Sequence, residues 1–88
     1  MFPPDIESKI TKDFKNEAND ARNILEEYSK KPTASLRIIR CLLALSKGEI
    51  GKLREFYHAA EGDWRDVILW AEYDKAANRI ADYNNPFD

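Results

Sequence analysis

The sequence predicts an all-α fold: a compact bundle of four helices, five if the last one breaks, with the second helix at its centre. Two observations predict it. Apolar residues recur at intervals of three and four along nearly the whole chain, and no stretch alternates apolar with polar residues long enough to read as a strand. A chain of 88 residues suits one domain, spanning 1–88, with short flexible ends at about 1–4 and 84–88.

Pro3-Pro4-Asp5 is a helix start, because proline at the first helical position gives up only an amide that has no helical partner. Behind it Ile6, Ile10, Phe14, Ala18, Ala21, Leu25 and Tyr28 form one stripe, which predicts a single long helix ending near Lys31, before Pro32. Thr33 or Ser35 caps the second helix. Its body, LRIIRCLLALSK, is apolar nearly all round, with only Arg37, Arg40, Ala44 and Lys47 as a polar stripe, so it belongs in the middle with neighbours on both sides. Gly48 closes it in the left-handed position that follows many helices.

Ile50, Leu53, Phe56 or Tyr57, and Ala60 mark a shorter third helix that stops at Gly62. Asp63 then caps a fourth, with Asp66 three residues on as a weak capping-box acid. Trp64, Val67, Ile68 and Ala71 share its core face. From Leu69 a second stripe appears, through Tyr73, Ala76, Ile80 and Tyr83. The helix is therefore either straight with two neighbours or broken near Asp74, which could cap a last helix ending at Asn84-Asn85-Pro86.

Composition excludes more than it suggests. Sixteen acidic and fourteen basic residues leave a net charge of -2, without the basic field that nucleic-acid binding requires. Cys41, the lone cysteine, lies in an apolar run and reads as a small buried hydrophobe, so no internal disulfide forms. MFPPDIESK has no signal-peptide pattern, and the apolar run from Leu36 to Leu45 falls short of the ~20 residues of a membrane span. A cytoplasmic protein without a membrane partner is the expectation.

The chemistry-bearing residues are few. Glu55, His58 and Glu61 share a helix face, but one histidine and one cysteine, without an HExxH or paired CxxC pattern, do not supply a zinc set, and no metal or other cofactor is expected. No nucleophile elbow or phosphate loop occurs, and no catalytic residues are assigned. Asp63, Asp66, Glu72 and Asp74 are abundant carboxylates without a catalytic pattern. Arg37, Arg40 and Lys47 are the anion-binding candidates: two guanidinium groups on a central helix could hold a phosphate or carboxylate, or the stripe could simply keep the helix wet on one side, or pair with Asp66, Glu72 or acids of the first helix.

Among the aromatics, Trp64 is expected in the core. Trp70 falls between the two stripes and, with Tyr73 and the intervening Glu72, is the interface candidate, since tryptophan and tyrosine dominate protein contacts. The functional expectation is a small cytoplasmic interaction or regulatory module with a protein partner, self-association included. The alternative is a helical ligand-binding or catalytic domain that holds an anion through Arg37 and Arg40.

Overall fold

The structure, a computed structural model, describes residues 2–87. Among them the chain forms four α-helices and no strand: α1 (Pro4–Phe14), α2 (Ala18–Ser29), α3 (Leu36–Ser46) and α4 (Ile50–Glu72), with a short 3-10 turn, Lys15–Glu17, between α1 and α2. The helical class is as the sequence predicts. Four or five helices side by side are not established by this packing, in which most close contacts between helices lie between α3 and α4.

The long first helix of the sequence reading is two helices. Lys15 ends α1 with φ of 51°, and the chain folds back so far that Arg22 reaches Glu7 at 2.8 Å. Fifteen residues of straight helix would separate them by ~22 Å. The apolar stripe survives the corner: Ile6, Ile10, Phe14, Ala21, Leu25 and Tyr28 are all buried, and Ala18 half-buried.

Ser35, rather than Thr33, caps α3; its hydroxyl accepts the Ile38 amide at 3.2 Å. Six successive residues of α3, from Ile38 to Leu43, are buried, which follows from the near absence of a polar face. Gly48 carries φ of 79°, and a Cβ there would press into the carbonyl oxygen of Asp13, so the turn after α3 lies directly against the α1 backbone.

α4 bends at Asp63, whose φ of -154° and ψ of 103° are extended. Asp63 Oδ1 accepts the Arg65 amide at 3.0 Å, the cap that the sequence predicts, and two helical limbs, 50–62 and 64–72, meet at an elbow. The elbow brings the rings of Phe56 and Trp70 to 6.1 Å, whereas fourteen residues of straight helix would hold them ~21 Å apart.

Of the two alternatives for the fourth helix, the straight continuation through Ile80 to Tyr83 does not form, and the chain does leave the helix before Asp74, but no last helix follows. After Glu72 the chain turns at residues 74–78, makes one antiparallel bridge between Tyr73 and Arg79, and runs back over the body without helix. Phe2 is buried and Phe87 packs against the core, while the outermost positions assigned to flexible ends, Met1 and Asp88, lie outside the described residues.

Candidate functional site

Two carboxylate clusters, one buried and one half-buried, hold the last part of the chain to the helices, and exposed apolar side chains stand near the first of them along the chain.

The first cluster is centred on Glu72, the last residue of α4, whose side chain is fully buried. Arg37, in the first turn of α3, grips it with two bonds, Nε to Oε2 at 2.9 Å and Nη2 to Oε1 at 2.6 Å. Arg79 adds a third donor at 2.9 Å and the Tyr83 amide a fourth at 3.0 Å. The Cys41 thiol points at Oε2 from 4.0 Å. Burial pushes the Glu72 carboxyl up, but the Arg37 and Tyr83 hydrogen bonds and the charges of Arg37 and Arg79 outweigh it, so the group stays ionised below its ordinary range. The Glu72 carbonyl is occupied too, accepting the amides of Ile80 and Ala81.

The second cluster is centred on Asp5, in the first turn of α1, where the helix dipole also favours a negative charge. Arg40, one turn along α3 from Arg37 and itself buried, donates to both its oxygens at 2.9 and 3.3 Å. The Phe87 amide donates to Oδ2 at 3.0 Å, and Arg40 Nη1 reaches the Tyr83 carbonyl at 3.4 Å. The Arg40 hydrogen bond, working against burial, sets the Asp5 carboxyl below its usual range.

This geometry decides what the polar stripe of α3 can do. Arg37 and Arg40 each turn their Nε and Nη2 donors to Glu72 and Asp5, and Arg40 is covered rather than wet, while Arg37 keeps 30% of its side chain exposed. Lys47 stands apart at the left-handed C-cap of α3 and is exposed. Cys41 is no nucleophile in this setting. Burial, reinforced by the Glu72 charge beside it, pushes its thiol to about 12, so the thiolate is scarce at neutral pH.

The metal candidates form no site either. His58 Nδ1 lies 3.1 Å from Glu61, which also binds Lys31, and among the described residues no group of three or more histidine, cysteine or acidic residues could hold an ion. These side chains edge an open groove of about 510 Å³ between α2 and the first limb of α4, floored by Ile24 and Tyr57. It holds no nucleophile paired with a base.

The chain matches no protein-family model, no curated protein and no solved structure. Among the described residues no helix is long and apolar enough to cross a membrane.

The three interface candidates part company. Trp70 is 48% exposed and rests on Phe56. Tyr73 is half-buried, with the Arg79 guanidinium 5.9 Å above its ring. Glu72 is not a surface residue at all: its carboxylate turns in to Arg37, while Trp70, two positions back and so on the opposite side of the helix, faces outward. Trp64, expected in the core, is exposed; it has the phase of Val67 but occupies the first turn after the elbow, at the margin of the packed region.

Sequence reasoning offered acids of the first helix as partners of the α3 stripe but did not single out Asp5, since a first-turn aspartate reads as a helix-start acid. It also missed Leu69, 52% exposed, and Ile80, 64% exposed. Periodicity places both on a stripe that is buried only if helix continues past Glu72.

Proposed function

We propose that this domain is a protein-interaction module without catalytic chemistry of its own, whose contact face is the outward side of the 64–72 limb and the turn that follows. One observation carries the reading: Leu69, Trp70 and Ile80 stand exposed close together along the chain, the Ile80 amide only 2.6 Å from the Glu72 carbonyl. Beneath them the Glu72 cluster fixes the backbone from which they project. Large apolar groups on a rigid support are what hot spots in protein contacts consist of.

The pairing of Arg37 and Arg40 with internal carboxylates favours this reading over anion binding. The polar groups nearest the face are satisfied internally, so covering it with a partner removes apolar surface from water without stranding a buried charge.

The test replaces Leu69 and Trp70 together by serine and compares self-association by sedimentation and partner capture with the wild type. Neither side chain is a core element, so the variant is expected to keep its helical circular dichroism and lose association. A strictly monomeric wild type with no captured partner, or a double variant that associates as the wild type does, would overturn the proposal.

A further inference from the structure

We propose that residues 80–87 exchange between two copies of this chain, each copy seating its segment on the Glu72, Asp5 and Arg40 groups of the other. The proposal rests on the contact face described above and names its partner as a second copy.

The first ground is how the segment is held. Apart from its bonds to the hinge residue Arg79, it meets the rest of the chain through the Ile80 and Ala81 amides on the Glu72 carbonyl, the Tyr83 amide on the Glu72 carboxylate, the Phe87 amide on Asp5, the Arg40 bond to the Tyr83 carbonyl, and the packing of Tyr83 and Phe87 against the core. Lys9 also lies 5.5 Å above the Phe87 ring. Every one of these partners belongs to α1, α3 or the end of α4. A second copy presents the same partners in the same arrangement, so exchange conserves all of these bonds.

The second ground is the hinge. Residues 73–79 join the segment to α4 and close on themselves: Asp74 Oδ1 accepts the amides of Ala76 and Asn78 at 2.9 and 3.0 Å, and Tyr73 bridges Arg79. Within that closure Ala77 takes a φ of 64°, a left-handed conformation unfavourable for a residue with a Cβ. Opening the turn frees Ala77, and a short loop under strain is the hinge that favours exchange. Opened, seven residues span roughly 23–25 Å. That matches the 27 and 22 Å shorter extents of the molecule, which brings an adjoining copy within reach.

The third ground is the surface at the hinge. Leu69, Trp70 and Ile80 flank its two ends, so paired hinges would bring these exposed side chains of both copies toward one another.

The experiment uses the full chain and its Ala77→Gly and Ala77→Pro variants. Glycine accepts the closed turn, whereas proline, fixed near a φ of about -65° and lacking the amide that Ala77 donates to Asp74, opposes it. In sedimentation the dimer constant is expected to weaken roughly fivefold in Ala77→Gly and to strengthen in Ala77→Pro. Wild-type dimers assembled from differently isotope-labelled copies are expected to show nuclear Overhauser contacts between Phe87 of one copy and Lys9 of the other. This last measurement decides the matter even if Ala77→Pro fails to fold. A dimer whose Phe87–Lys9 contacts are all within one copy would keep the contact face and overturn the exchange. A wild type that stays monomeric at the highest attainable concentration would overturn the exchange and leave the face to a different partner.

Discussion

Replacing Glu72 by glutamine tests how far the end of the molecule depends on one buried charge. Glutamine keeps the shape and one acceptor oxygen but removes the charge that two guanidinium groups and one amide converge on. Stripping a partner from a fully buried ion pair costs ~3–5 kcal/mol. Here the Arg37 and Arg79 side chains are 30% and 42% exposed, so both regain part of their hydration, and the expected loss falls to about 2–3 kcal/mol. A domain of this size has a total stability of roughly 4–13 kcal/mol. Each kcal/mol moves its melting point by about 4–8 °C, so a drop of roughly 8–24 °C is expected.

The pH dependence follows from the lowered Glu72 carboxyl. A carboxylate that titrates lower in the folded chain than in the unfolded one contributes its full stabilisation above the unfolded value, about 4.3 for glutamate, and loses it as pH falls through the folded value. The gap between wild type and Glu72→Gln should therefore be full at neutral pH and close in acid. Urea unfolding followed by far-ultraviolet circular dichroism, repeated down a pH series, measures it. A gap smaller than about 0.5 kcal/mol at neutral pH, within the ordinary range for surface substitutions, would refute the reasoning. So would a gap that does not change with pH.

Gly48→Ala should cost about 2–4 kcal/mol in the same urea assay, because the new methyl meets the Asp13 carbonyl while the backbone holds a φ of 79°; a loss under about 1 kcal/mol would mean that the turn moves away freely. Tyr28→Phe should leave stability unchanged or raise it by up to about 1 kcal/mol, since the buried hydroxyl has no hydrogen-bond partner. A loss of about 1 kcal/mol would instead place that hydroxyl in a bond to Thr33. Cys41, its thiol pushed to about 12, should alkylate at mildly alkaline pH only as fast as the chain opens, with the rate rising in urea. Labelling of the native chain at the rate of a free thiol would contradict its burial.

What the sequence made legible was local. The stripe from Ile6 to Tyr28, the Ser35 and Asp63 caps, the left-handed Gly48 and the apolar circumference of α3 all depend on residues within a turn or two of one another, and each is present. Spacing could not show the corner at Lys15, because the stripe keeps its interval across it. No proline or glycine marks the place, and what the corner achieves is contact between Glu7 and Arg22 on different helices. The partners of Arg37 and Arg40 lie 35 residues away in opposite directions along the chain, and periodicity carries no information at that range.

The failure after Glu72 is the instructive one. Asp74 does part of what a helix cap does, accepting the amide two residues ahead, though its second amide is four ahead rather than three, and the stripe through Ala76, Ile80 and Tyr83 could have continued a helix. Continuing it would require the amides of Ile80, Ala81 and Tyr83 to bond to carbonyls four residues back. Those three amides bond instead to the carbonyl and carboxylate of Glu72. The Glu72 carboxylate, held by Arg37, competes for the Tyr83 amide, and the Glu72 carbonyl for those of Ile80 and Ala81, so the two acceptors of one residue together withdraw the segment from helix. The contact that hides Glu72 from the surface is also the one that leaves Ile80 exposed on it. Restoring helix beyond Asp74 in a Glu72→Ala chain, seen as a gain in helical signal per folded molecule, is the outcome this competition entails. A Glu72→Ala chain that stays folded with an unaltered helix content would show that the turn at Asp74 stops the helix unaided.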